Sequence, residues 1–114
     1  MKVLVCGSRH FNDERLMENV LKQYDISCVI EGEARGADTL ARRYAERQGI
    51  SVDAFPAQWD LHGKAAGPIR NTQMLRIGKP DLVIAFLAKD SRGTKNMIDQ
   101  ARKAGVNTIV VDIP

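Results

Sequence analysis

Three segments of this 114-residue chain couple glycine to arginine: Gly7-Ser8-Arg9, the turn Gly32-Glu33-Ala34-Arg35-Gly36-Ala37-Asp38, and Arg92-Gly93-Thr94. Each stands directly before a stretch of helical periodicity, where free backbone N–H groups and the positive end of the helix dipole favour an anion. Arginine adds a planar fork of donors that can take two phosphate oxygens at once. The chemistry on offer is therefore the gripping of a phosphate-bearing ligand, with Gly7, Ser8, Arg9, Gly32, Arg35, Gly36, Gly93 and Thr94 as binding residues. Tight strand-to-helix turns also use glycine for purely conformational reasons. It is the recurrence in three loops that points to a ligand.

Two carboxylates of the second segment, Glu33 and Asp38, are the candidates for acid–base work. Asp38 falls in the first turn of the following helix, where the dipole stabilises a carboxylate with no catalytic duty. Glu33 is equally suited to a ribose hydroxyl. A longer segment, Pro56 to Asn71, carries the only tryptophan, Trp59, and ends in Arg70-Asn71. Trp59 suits stacking on a base or pinning the loop to the body of the protein, and Arg70 is a further counter-charge.

Several chemistries are disfavoured. Neither GxxxxGK[ST] nor a strict GxGxxG is present, which argues against a P-loop ATPase and a standard dinucleotide dehydrogenase. His10 and His62 form no ligand pattern with Cys6 and Cys28, so neither a metal nor another cofactor is expected. The cysteines lie in separate apolar runs and read as reduced, buried thiols.

The elements that must position these residues follow from periodicity. Short apolar runs (KVLVC, SCVIE, SVDAF, DLVIAF, NTIVVDI) alternate with segments whose apolar positions recur at three and four. The first helix has Asn12 or Asp13 as its cap and Leu16, Met17, Val20, Leu21 and Tyr24 on one face. The second carries Leu40, Ala41 and Tyr44 and stops at Gly49. The third opens at Gly67-Pro68, and the fourth runs from Thr94 to a stop at Gly105. Five strands joined by helices imply one domain, residues 1–114: an α/β, Rossmann-like three-layer sandwich with a mostly parallel five-stranded sheet. Its ligand site is expected beyond the carboxyl ends of the strands.

Seventeen Lys and Arg against fourteen Asp and Glu give a net charge of +3, interspersed along the chain, too weak and too scattered for a nucleic-acid groove. No apolar run approaches the roughly 18 residues of a membrane span, and MKVLVCGSRHF is no signal peptide. A cytoplasmic, soluble protein without membrane partners is expected.

Cys6-Gly7-Ser8-Arg9, the GEARGAD turn, Trp59 with GKAAGPIRN and Met74, the strand PDLVIAF and Gly93-Thr94 together resemble the YspA/YpsA-like branch of the SLOG superfamily. That superfamily includes the cytokinin-activating phosphoribohydrolases and the DNA-processing protein DprA. The resemblance implies a nucleotide or nucleotide-derived ligand, a nucleoside monophosphate or an ADP-ribose-like molecule, at the carboxyl edge of the sheet, and homo-oligomers. Arg70 stands at the family's arginine position, Asn71 replaces its lysine, and Met97 stands where the phosphoribohydrolases carry their catalytic glutamate. Methionine cannot shuttle a proton. The leading expectation is thus ligand binding. N-glycosidase action on nucleoside monophosphates, with Glu33 or Asp38 replacing the missing glutamate, is the alternative, and single-stranded DNA binding is a third.

Overall fold

The computed structural model describes residues 1–114. The apolar runs become β1 (Lys2–Gly7), β2 (Cys28–Glu31), β3 (Ser51–Ala54), β4 (Leu82–Leu87) and β5 (Asn107–Asp112). The sheet has the order β3-β2-β1-β4-β5, and every neighbouring pair is parallel. The three inner strands are buried almost throughout, as strands covered on both faces must be. The edge strands β3 and β5 are more exposed.

Alternation along β1 divides the core in two. Val3 and Val5 face α1 (Glu14–Leu21) and α2 (Ala37–Gln48), meeting Met17, Leu21, Leu40, Ala41 and Tyr44. Leu4 and Cys6 face α4 (Ala66–Arg76) and α5 (Arg92–Lys103), meeting Met74, Met97, Ile98 and Ala101. Fully burying each large aliphatic side chain contributes about 1.5–3 kcal/mol, so the two apolar layers dominate the hold of helices on sheet. Phe11, beyond β1, stacks on Phe86 of β4 with ring centroids 4.9 Å apart and closes the first layer at the carboxyl edge.

Local chemistry sets the helix ends. The Leu16 N–H donates to Asp13 Oδ1 at 3.0 Å, which makes Asp13 the cap of α1. Gly49, at φ 69°, terminates α2. Tyr24 lies beyond the end of α1 but still packs on the core.

Three expectations need correction. The segment before α4 is not an open loop: Trp59–His62 form a one-turn helix, α3, followed by a 3₁₀ turn at Gly63–Ala65. Helix α4 then begins at Ala66, ahead of Gly67-Pro68, which is permitted because a proline in the first turn lacks only an N–H that would be unpaired anyway. Helix α5 starts at Arg92 rather than Thr94, so Gly93 and Thr94 belong to its first turn. The sheet order reverses between β1 and β4, whose register pairs Gly7 with Phe86. The loops leaving these two strands diverge and open a crevice at the carboxyl edge. Both cysteines are free and buried, and no helix is long and apolar enough to cross a membrane.

Candidate functional site

The crevice is a cavity of about 390 Å³, within the size range of small-molecule sites. Its walls come from the end of β1 and the following loop (Gly7, Ser8, Arg9), the start of α2 (Asp38), α4 (Arg70, Asn71) and the first turn of α5 (Gly93, Thr94). Five polar or charged residues are buried in this protein, and four of them, Ser8, Asp38, Asn71 and Thr94, line this one cavity. Burying a polar side chain is unfavourable unless it is hydrogen-bonded, so such a concentration is not what packing alone selects. Three arginines, Arg9, Arg70 and Arg92, share the walls with the carboxylates Asp38 and Asp90.

Two helices begin at the cavity, and they differ. The start of α2 is filled by the helix's own carboxylate. Asp38 Oδ2 accepts from the Gly32 N–H at 3.0 Å and the Ala34 N–H at 3.2 Å, tying the preceding turn to the helix. At α5 no such group intervenes. Ser91 occupies the cap position without a side-chain cap bond, and the Gly93 and Thr94 N–H groups donate to no backbone carbonyl. Free N–H groups of this kind, with the dipole behind them, make an anion seat. The hydroxyl of Thr94, a largely buried residue, stands beside them.

Asp38 is only 5% exposed. Burial pushes its carboxyl up to about 6, while the Ala34 and Gly32 N–H groups and the Arg70 charge pull the other way and Glu31 adds to the rise. Its second oxygen, Oδ1, takes no hydrogen bond from the protein. No fully buried side-chain oxygen in the chain lacks a partner, so Oδ1 reaches open space, and the open space beside Asp38 is the cavity. Cys6 also lines the cavity, its thiol pushed well above the usual range by burial first and by Asp38 second, so it presents a neutral wall.

Arg70 crosses the crevice to reach Gly32. Its Nη1 donates to the Gly32 carbonyl at 2.7 Å, and its Nε to Asn71 Oδ1 at 3.1 Å. A side chain at position 32 would overlap this guanidinium, with Cβ 2.8 Å from Arg70 Cζ, so glycine there makes room for the arginine. The Asn71 amide donates to the Gly93 carbonyl at 3.2 Å and to Asn96 Oδ1 at 3.0 Å, fixing α4 against the start of α5. Thr72, Asn96 and Gln100 extend the same network along the two helices.

Of the residues singled out in the sequence, the cavity gathers Gly7, Ser8, Arg9, Asp38, Arg70, Asn71, Gly93 and Thr94. Gly32 stands behind the wall and holds Arg70 and Asp38 through its backbone. Four others lie outside. Glu33, at φ 57°, points at Arg42, which pairs with it at 2.9 Å and with Glu31 at 2.7 Å. It does not line the cavity, because the turn that brings Asp38 inward sends Glu33 out. Arg35 is exposed on the same turn and does not line the cavity. Gly36 is scaffold: with φ at 77°, it lets α2 approach the β1 loop so closely that a Cβ would overlap the Ser8 carbonyl oxygen and lie 2.6 Å from the Arg9 carbonyl carbon. Trp59 is 59% exposed, with its ring against Gly67, outside the cavity. Met97 is fully buried in the apolar layer beneath α5.

The sequence reading missed Cys6, His10, Ala34, Met74, Asp90, Ser91 and Arg92 as cavity residues. Arg92, Asp90 and Ser91 were findable, since they directly precede Gly93-Thr94. Cys6 and Met74 carried no polar signal.

Fold and site thus define a Rossmann-like domain with a polar pocket at its topological switch point. The fold is that of DNA processing protein A (DprA) from Streptococcus pneumoniae, with a TM-score of 0.77 and 21% identity over 96% of this chain and 49% of that one. This chain spans about half the length of that protein. The Gene 61 protein of Mycobacterium phage D29 is 36% identical over 119 residues, covering 95% of this chain and 94% of that protein. The model of the YspA, cpYpsA-related SLOG family (YAcAr) matches residues 1–62. The chain belongs to that SLOG family.

Proposed function

We propose that this protein binds a nucleotide or nucleotide-derived phosphorylated ligand, a nucleoside monophosphate or an ADP-ribose-like molecule, in the crevice between β1 and β4. The phosphate sits on the Gly93 and Thr94 N–H groups and the Thr94 hydroxyl, with Arg9, Arg70 and Arg92 as counter-charges. The observation that carries this assignment is the gathering of four of the five buried polar residues around one cavity, beside three arginines and an uncapped helix start. Asp38 closes the α2 start to anions, which directs the phosphate to α5.

The test is mass spectrometry of small molecules released from freshly purified protein, followed by calorimetry with a panel of nucleotides. A phosphorylated compound released and rebound is expected. Failure of every phosphate ester to bind removes the assignment. Sedimentation of the same samples tests the expected homo-oligomer.

The Asp38 carboxyl at the cavity, pushed up to about 6, favours a second reading, N-glycosidase action on nucleoside monophosphates. Glu33 is no longer a candidate for the acid, since it is outside the cavity and paired with Arg42. Release of free base from a nucleotide, followed by chromatography, supports the enzyme; binding without product retires it. DprA is described as a DNA-processing protein, so single-stranded DNA belongs in the same panel. Affinity falling steeply with salt is its signature.

A further inference from the structure

We propose that Asp38 selects ligands that carry a sugar hydroxyl at some distance from their phosphate, by accepting a hydrogen bond from that hydroxyl at Oδ1. The proposal rests on the phosphate seat described above and adds the second point of attachment.

The cavity has two chemical poles. At α5 the helix start offers donors and a cation, the Gly93 and Thr94 N–H groups, the Thr94 hydroxyl and Arg92, with the exposed carboxylate of Asp90 just ahead of them on the rim. At the start of α2 stands a carboxylate that is almost wholly buried, has one oxygen committed to the Gly32 and Ala34 N–H groups, and has the other open to the cavity. The protein's other buried carboxylate, Glu31, is closed: Oε1 accepts from the Glu33 N–H at 2.6 Å and Oε2 from Arg42 at 2.7 Å. Asp38 Oδ1 is therefore the open acceptor among the buried carboxylates.

An open, buried acceptor repels an anion and attracts a donor. Phosphate is excluded from that pole by charge. A cationic donor is disfavoured by Arg9, Arg70 and Arg92 on the same walls. What remains is a neutral donor on a ligand whose other end is anionic, and the hydroxyl of a sugar phosphate meets both requirements. Leaving such an acceptor unpaired in the complex forfeits a charge-assisted hydrogen bond, which is how a polar site rejects a ligand lacking the hydroxyl.

Asp38→Asn isolates this effect. The turn N–H groups of Gly32 and Ala34 require an acceptor, so the Asn oxygen takes the place of Oδ2 and the amide NH₂ turns to the cavity. An acceptor there becomes a donor, while the tie between turn and helix is kept.

The experiment is a titration of wild type and Asp38→Asn with inorganic phosphate, ethyl phosphate and ribose 5-phosphate, by calorimetry or NMR. Wild type is expected to bind ribose 5-phosphate roughly tenfold to a hundredfold more tightly than ethyl phosphate, the range for a hydrogen bond to a charged group. In Asp38→Asn the two esters come within about threefold of each other, and inorganic phosphate binds more tightly because a negative charge has gone. Equal affinity of wild type for the two esters overturns the proposal, as does a variant that keeps the preference. Should the variant fail to fold, judged by circular dichroism, the wild-type ratio decides alone. Failure of all three phosphates to bind wild type removes the phosphate seat and this proposal together, whereas equal binding of the two esters removes only this one.

Discussion

Asp38 is a buried carboxylate whose ionisation costs stability, and the size of the cost follows from its environment. Its carboxyl is raised from 3.8 to about 6, chiefly by burial. Between these pH values the folded chain holds the proton after the unfolded chain has lost it. The contribution of this group to stability is therefore complete below about pH 4 and is lost as the pH rises through about 6. At about 1.4 kcal/mol for each factor of ten in the proton equilibrium, ionised Asp38 costs the fold about 3 kcal/mol at pH 8. Asparagine reproduces the neutral carboxyl and keeps an oxygen for the Gly32 and Ala34 N–H groups. Asp38→Asn should therefore gain about 3 kcal/mol at pH 8, a rise in melting temperature of roughly 10 °C for a domain of this size. Near pH 4 the gain should vanish, because wild type is then protonated. Urea unfolding of both proteins at pH 8, 6 and 4 provides the test, and the difference between them cancels the carboxylates they share. A variant less stable at pH 8, or a difference that does not shrink toward pH 4, refutes the account of Asp38 as a carboxylate kept ionised in the cavity at the expense of the fold.

Three further outcomes are expected. Arg70→Ala should weaken binding of a phosphate ester by about 1.5–3 kcal/mol in calorimetry, the range for a charge-assisted bond; an unchanged affinity would remove Arg70 from the ligand site. Gly36→Ala should lower stability to chemical denaturation by about 2 kcal/mol or more, because a Cβ at φ 77° runs into the Ser8 and Arg9 backbone. Glu33→Gln should leave phosphate-ester affinity within about twofold of wild type and reduce stability by less than about 1 kcal/mol, since its pair with Arg42 is partly exposed; a large loss of binding would place Glu33 in the site after all.

Much of this was legible in the sequence because periodicity and punctuation are local. The run KVLVC alternates between two buried layers, Asp13 and Gly49 mark helix ends by their own chemistry, and the repeat of strand and helix dictates a sheet whose carboxyl edge carries the functional loops. What spacing could not tell was direction. Glu33 and Asp38 share one turn, yet Glu33 goes out to Arg42 and Asp38 goes in, and Arg42 lies more than one helical turn into α2. Trp59 suits by its type both stacking on a base and pinning its segment to the protein; the one-turn helix it begins lays its ring against Gly67, outside the cavity. The start of α5 was placed late because Arg92 and Gly93 read as loop chemistry, although a glycine in a first helical turn is also what keeps the approach to the N–H groups open.

The pairing of β1 with β4 joins the two halves of the chain, and the pocket exists only along that seam: Ser8 and Arg9 come from one half, Arg92 and Thr94 from the other. A molecule lodged there bridges segments some eighty positions apart, so its binding energy is felt by the assembled domain and not by any fragment. Ligand occupancy should accordingly protect the slowest-exchanging amides of the central strands along with those of the rim, so that cargo and architecture melt as one.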